Sequence, residues 1–377
     1  MTCQLAATRQ CFRHVRAAAH GRSPGATVLP RGSGPQAGES LLLRQKRTVI
    51  LIELPFFSFH VMMNAGKRPR ACLRCWMMIG NHADRSGFEE DKMKFYIVDC
   101  FAEEKYQGNE LLVIKADRPV SDEVQQKIAR EINFSETAFI LSDKKDNGGY
   151  DVRIWTPNVG EMPFAGHPTL GTAHVIRHIY EGGGSKTVRL NLKVGQIPVE
   201  VTEDGMTMAQ NPPEFGEIIR REEIAEIYGI DVDDIREDYP IQWMSTGLEA
   251  VIIPLRTRET LSRLVTDKDK FMAYVKRHPK NYCNHLFFVD MGDNTLSARC
   301  LMEDFVEDPA TGSANGDLAG YLIYHNYFGT NDVKYTVIQG EDMGRKSVLH
   351  IHAALNGEDW TIEVGGNCFV VAEGDWM

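Results

Sequence analysis

The sequence predicts an α/β protein, of the α+β kind, built from two related domains that each wrap a sheet around one buried helix. Three observations carry that expectation. The chain has 377 residues, 43% of them hydrophobic and 9% aromatic, which is enough to bury about two domain cores. From Met93 onward, short stretches of two-residue alternation follow one another as strands do. One construction, a strand, a Gly-rich turn and then a nearly all-apolar helix, occurs twice, around residues 150–180 and 295–325.

The elements read in order from Met93. In "MKFYIVDCF", Tyr96, Val98 and Cys100 alternate with Phe95, Ile97 and Asp99, and "ELLVIKA" (110–116) follows the Gly108-Asn109 turn, so the two strands make a hairpin. Ser121 can cap a helix in which Val124, Ile128 and Ile132 recur every four residues and which ends at Asn133. "ETAFIL" (136–141) is a strand with Glu136 at its mouth, and "YDVRIWTP" (150–157) is the next.

That strand leads into "EMPFAGHPTLGTAH" (161–174). Pro168 suits the first turn of a helix, where a missing N–H costs nothing, and Gly166 lets the backbone turn without a Cβ clash. His167 therefore sits at a helix N-terminus. The helix carries Ala173, Ile176 and Tyr180 with Val175 and Ile179 beside them, so most of its circumference is apolar and it belongs in a core. The following "EGGGSKT" (181–187) lacks Walker spacing and follows a helix, so it is an exit loop.

"EDPATGSANGDLAGYLIYH" (307–325) repeats the construction after the strand "TLSARCLM" (295–302), and superposing Gly166 on Gly312 pairs His167 with Ser313. Two such helix N-termini, facing each other, would present free N–H groups and positive dipole ends to an anion. A substrate carboxylate would fit there, held by Gly166, Thr311, Gly312 and Ser313.

The charge is uneven. Residues 1–92 carry 14 Lys and Arg against 6 Asp and Glu, whereas the whole chain has a net charge of −10. An acidic body argues against a nucleic-acid partner and for small molecules. The leader has five Arg and no acid before Glu39, as targeting peptides do, and residues 48–63 are apolar. Glu53, Pro55 and His60 interrupt that run, which falls short of the roughly 20 residues of a membrane-spanning helix, so no membrane partner is expected. The reading favoured is that translation starts at Met93 and that residues 1–92 are a basic leader outside the fold. Domains are then expected at 93–205, to which 366–377 could return, and at 206–365.

Cys3, Cys11, Cys72 and Cys75 lie in the leader, and Cys100, Cys283, Cys300 and Cys368 are scattered, which suits a reducing, cytoplasmic setting rather than a disulfide framework. Cys72 and Cys75 have zinc-knuckle spacing without a second pair, and His174 and His178 stand one turn apart without a third ligand in register, so no metal site is expected.

Six segments then carry a resemblance: "VDCFAEEKYQGNELLVI", "SETAFI", "VRIWTPNVGEMPFAGHPTLGTA", "EDPATGSANG", "QGEDMGRKS" and "GGNCFVVAEG", in this order over residues 93–377. In them the chain resembles the PhzF-like phenazine-biosynthesis proteins, which share the diaminopimelate epimerase fold. The resemblance implies two pseudo-symmetric domains with mostly antiparallel sheets and the site in the cleft between them. It implies that Glu136 is the catalytic acid/base and that His167, Asp308 and Ser313 line the cleft. It also implies an isomerase that moves a proton within a small carboxylate-bearing substrate with neither metal nor cofactor. A homodimer fits both the resemblance and the open sheet edges. Glu110 and Lys346 depart from the family pattern, which has Pro at both places.

The epimerase relatives use two opposed cysteines, and the equivalent positions here hold Ala165 and Pro309. Without those thiols, what remains is a carboxylate that lifts a proton and returns it elsewhere on the same face. Glu136 should then be partly desolvated, so that it titrates near the working pH. Other readings stay open on the residues alone: Glu136 as an ordinary strand-end acid, His167 as a cap, Thr311 and Ser313 as turn residues. A serine-type hydrolase built from Ser313, His167 and Asp308, or a non-catalytic binding protein, also stays open.

A chain beginning at Met93 is expected to be soluble and to melt cooperatively at the temperature of the full-length protein. Aggregation, or a large drop in melting temperature, would place the boundary elsewhere.

Overall fold

The computed structural model describes residues 93–377; the leader, its apolar run at 48–63 and the Cys72–Cys75 pair lie outside the described residues. All of the described residues belong to one compact unit.

The first half starts with the expected hairpin. Strands β1 (Met93–Cys100) and β2 (Asn109–Lys115) pair antiparallel from Lys94 opposite Lys115 to Cys100 opposite Asn109. Helix α1 (Asp122–Ile132) begins where the Ser121 hydroxyl accepts from the Val124 N–H and ends at Asn133, which is left-handed at φ 55°. Its buried face is Gln125, Ile128 and Ala129, so Val124 is exposed. Strand β3 (Glu136–Ile140) runs parallel to β2, β4 (Gly149–Thr156) returns antiparallel, and β5 (Gly160–Met162) folds back on it. Helix α2 (Gly166–Val175) follows, then β6 (Thr187–Leu192), β7 (Gly195–Thr202) and β8 (Gly205–Ala209).

The second half comprises β9 (Glu214–Ile219), α3 (Arg221–Tyr228), β10 (Ile241–Ser245), β11 (Glu249–Pro254), α4 (Arg258–Ser262) and α5 (Lys268–Arg277). Strands β12 (Asn284–Gly292), β13 (Thr295–Leu301) and β14 (Glu307–Asp308) lead to α6 (Gly312–Tyr324). The chain closes with β15 (Asp332–Gln339), β16 (Ser347–Asn356), β17 (Asp359–Gly366) and β18 (Cys368–Trp376).

From β10 to β17 the pairing repeats that of β1 to β8 step for step. β10–β11 is antiparallel as β1–β2 is, and β11–β12 is parallel as β2–β3 is. β13 carries the short β14 and the parallel β15 just as β4 carries β5 and the parallel β6. Every parallel step coincides with a helical crossover, which parallel neighbours require, and the other pairings are antiparallel. The halves meet where β8 pairs with β17, after which each sends its next strand to the other side: β9 flanks β10, and β18 flanks β1.

Helices α2 and α6 are the two centres. All residues of α6 from Gly312 to Ile323 are buried, and in α2 His174 alone escapes full burial. The sheet can close on α2 because Gly171 has no side chain: a Cβ there would lie 2.6 Å from Cys100 Sγ and 2.7 Å from Leu111 Cδ2. The apolar pattern overran its helix, however. Residues Ile176–Tyr180 form a wider π-turn that leaves the core, so Ile179 and Tyr180 are exposed. His174 and His178 have ring centroids 4.4 Å apart, and among the described residues no third ligand joins them. No described helix is long and apolar enough to cross a membrane.

Gly171→Ala is expected to destabilise the fold by about 1–3 kcal/mol through overpacking, measured by denaturant unfolding. An unchanged midpoint would show that the sheet does not close on α2 at this point.

Candidate active site

The site forms where α2 and α6 begin. The backbones of the two helix starts touch: a Cβ on Gly166 would stand 3.3 Å from the Gly312 Cα, and one on Gly312 would stand 3.5 Å from the Gly166 Cα. A Cβ on Gly166 would be crowded, by the Met208 methyl at 3.1 Å as well, whereas one on Gly312 would make ordinary contact. Ala165 and Thr311 are the residues before the helices, and neither caps its own helix by a side-chain hydrogen bond, so the first N–H groups point outward unshared by side chains. The helix starts also correct the thiol comparison. Ala165 corresponds to Thr311, and Pro309 stands two residues earlier. Neither position has a thiol; burial pushes the thiols of Cys283, on the cleft wall, and Cys300, beside Thr311, well above the usual range.

A cleft of about 180 Å³ opens in front of these helix starts, and it is lined by all seven of the expected residues, Glu136, Gly166, His167, Asp308, Thr311, Gly312 and Ser313. Glu136 arrives at the head of β3 and His167 as the second residue of α2. Nε2 of His167 lies 3.3 Å from Oε2 of Glu136, and both atoms are buried without a hydrogen-bond partner. Burial, with the nearby charge of Asp308 adding to it, pushes the Glu136 carboxyl up to about 8. Burial likewise drives His167 down to about 3, against the pull of the Glu110 backbone. At neutral pH the pair is therefore a protonated acid facing a neutral imidazole.

Asp308 has the opposite surroundings. Thr311 Oγ1 donates to its Oδ2 at 2.6 Å and Asn109 Nδ2 donates to its Oδ1 at 2.7 Å. Burial lifts it to about 6, with these donors and the Ala310 backbone N–H restraining the rise. The Ser–His–Asp arrangement is not assembled, because His167 faces Glu136, Asp308 is held by Thr311 and Asn109, and Ser313 makes no hydrogen bond to His167.

Several contributors were missed by sequence reading. Gln339, at the end of β15, donates to the Asp308 carbonyl at 2.7 Å and to Thr311 Oγ1 at 3.0 Å, which fixes the loop before α6. Asn109 was read as a turn residue alone. Both lie inside segments that carried the resemblance, but a polar residue ending an apolar strand gives no sign of its distant partner. Glu249 and Glu303 also line the cleft, without a cationic partner among the described residues. The departure at Glu110 has a physical reason: Arg345 lies 3.3 Å from it and donates to Asp99 at 2.9 Å. The backbone carbonyl of Lys346 accepts from the Gly108 N–H.

Residues 98–374 match the family model described as PhzC-PhzF, phenazine biosynthesis-like protein. The chain belongs to that family. An uncharacterized isomerase of Clostridium acetobutylicum is 32% identical over 299 residues, 74% of this chain and 96% of the relative. The trans-2,3-dihydro-3-hydroxyanthranilate isomerase of Pseudomonas aeruginosa is 32% identical over 293 residues, 74% of this chain and 98% of the relative. The crystal structure of a Bacillus anthracis phenazine biosynthesis protein of the PhzF family superposes with a TM-score of 0.67 at 24% identity, covering 76% of this chain and 99% of that one. This PhzC-PhzF member is an isomerase with the two-centre fold described above.

The acid pair sets a pH dependence of stability. Glu136 titrates in the folded protein at about 8 rather than 4.5, so between those values the native state holds a proton that the unfolded state has released. Stability from this group is therefore lost as pH rises through that window. Glu136→Gln, which resembles the protonated form, should gain melting temperature over the native protein progressively from about pH 5 to pH 8, on the order of several °C at the upper end. A difference independent of pH would mean that Glu136 is ionised in the resting protein.

Proposed function

We propose that this PhzC-PhzF isomerase moves a proton from one carbon to another on the same face of a small carboxylate-bearing substrate, with Glu136 as the shuttle and no cofactor. The observation that carries this reading is the Glu136–His167 pair, one buried carboxyl whose free oxygen faces a neutral ring at 3.3 Å.

In the proposed step the ionised Glu136 removes a proton from the substrate carbon, and the electron pair left behind delocalises into the adjoining unsaturated system. The carboxylic acid so formed then delivers the same proton to a second carbon, and Glu136 returns to its starting state. The substrate carboxylate is held by the N–H groups at the starts of α2 and α6 and by Ser313. Asp308, anionic at neutral pH, accepts a hydrogen bond from an amino or hydroxyl group and orients the ring. His167 orients the protonated shuttle between transfers, because its neutral Nε2 can accept a hydrogen bond from the carboxyl while the proton stays on Glu136. Burial suits this arrangement: an acid titrating near 8 loses and regains a proton at comparable cost at working pH.

The test uses trans-2,3-dihydro-3-hydroxyanthranilate, the compound in the Pseudomonas relative's name, together with related amino and hydroxy acids in deuterated water. Conversion should place solvent deuterium at the carbon that receives the proton, diluted by direct return. Glu136→Gln should lower kcat by about 10²- to 10⁴-fold with affinity kept, and Ser313→Ala should raise KM more than it lowers kcat. The native kcat/KM should climb with pH through about 8, where Glu136 ionises. An active Glu136→Gln enzyme, or a Ser313→Ala enzyme that is dead yet folded, would overturn the assignment.

A further inference from the structure

Two buried carboxyls share the cleft, and the chemistry proposed for it depends on which of them keeps a proton. Their donors are distributed unequally. Oε2 of Glu136 has no hydrogen-bond partner, while Asp308 receives the Thr311 hydroxyl, the Asn109 amide and the Ala310 backbone N–H. Thr311 and Ala310 belong to the loop that Asp308 itself starts, so they come with it whatever the rest of the chain does. Asn109 is different. It is fully buried at the first position of β2, in the other half of the molecule and 199 residues away in sequence.

The orientation of this amide is forced. Its Nδ2 donates to Asp308 Oδ1 at 2.7 Å and to the Ala310 carbonyl at 3.1 Å, and the carbonyl and the ionised carboxylate can only accept. A flipped amide would set an oxygen against a carboxylate. Its own Oδ1 is left buried without a partner, a cost that the two donated bonds must offset. The surrounding backbone keeps the residue in place: Arg345 donates to the carbonyls of Gln107 and Gly108 and lies against Glu110, and the Gly108 N–H reaches the Lys346 carbonyl.

We propose that Asn109 is the positioning residue that keeps the negative charge of the two cleft carboxyls on Asp308 and the resting proton on Glu136, and so sets the pH above which Glu136 is the base that the shuttle starts from. This inference rests on the role proposed for Glu136. The ionisable groups around Asp308 are Glu136 and Glu110, whose charges oppose its ionisation, and Cys300, which faces it across the β13–β14 pair and is held as a thiol by burial. Glu110 is itself offset by Arg345. No cationic side chain contacts Asp308 among the described residues, so its ionisation depends on neutral donors. A charge-assisted bond of this type is worth roughly one to two pH units of titration.

The experiment follows side-chain carboxyl carbons by NMR in full-length protein labelled with ¹³C-aspartate and ¹³C-glutamate, with Asp308→Asn and Glu136→Gln assigning the two signals. In the native protein Asp308 should titrate near 6 and Glu136 near 8. In N109L the Asp308 midpoint should rise by about one unit, toward that of Glu136. In N109D, which keeps the shape and removes both donors, it should rise further. The side-chain amide signals of native Asn109 should move with the Asp308 midpoint, a readout that needs no variant at that position. Asn109 amide signals that ignore this titration, or an Asp308 midpoint unmoved in folded N109L and N109D, would overturn the inference. A native Glu136 already ionised at pH 7 would instead overturn the role proposed for the shuttle.

Discussion

Everything at this site depends on two helix starts approaching until their glycines touch. Gly166 and Gly312 meet with little space for a Cβ at residue 166, and this contact lets the two halves bring their N-terminal N–H groups close together. It also has a cost. Closing the gap strips water from Glu136, His167 and Asp308 together, and desolvation is the leading cause of the displaced titration of each. The N–H groups at the helix starts and the raised acid therefore meet at one close packing contact.

The repeat explains why the contact can be so close. Each half delivers its helix by the same route, from a strand through a short returning strand into the core, and β8 and β17 pair across the middle. The exchange of outer strands, β18 onto β1 and β9 onto β10, then ties each half to the chain of the other. Arg345, Asn109 and the Gly108 N–H add polar bonds between the segment before β2 and the loops of the second half. Chemistry differs between the halves despite the shared topology. Position 167 puts an imidazole beside Glu136, while the corresponding Ser313 puts a hydroxyl on the cleft wall.

Much of this was legible in the sequence, because its signals are local. Ser121 and Asn133 mark the ends of α1 through their own backbone chemistry, and alternation in "MKFYIVDC" marks β1 without reference to any partner. The doubled strand, turn and apolar helix announced both centres, and the family segments pointed to Glu136, His167, Asp308 and Ser313, which the fold brings to one cleft. The misses are non-local. Hydrophobicity could not show that Ile179 and Tyr180 lie past the end of the core, since a helix exit depends on where the sheet stops. The pairing of Ala165 with Pro309 runs two residues out of register with the Gly166–Gly312 superposition, because the two loops before the helices differ in sequence; the helix starts put Ala165 opposite Thr311. The donors on Asp308 come from residues 109 and 311, one adjacent in sequence and one remote, and no pattern in a single chain connects the remote one.

The central claim is that burial keeps Glu136 protonated at neutral pH in the resting protein, so that the base form which starts the shuttle appears as pH approaches about 8. Infrared difference spectroscopy measures this directly, by comparing the native protein with Glu136→Gln at pH 7 in the region where a protonated carboxylic acid absorbs. The account predicts a carboxylic-acid band in the native protein that is absent from the variant and that fades as pH rises through about 8. A native spectrum without that band at pH 7, with the variant losing carboxylate absorption instead, would contradict it.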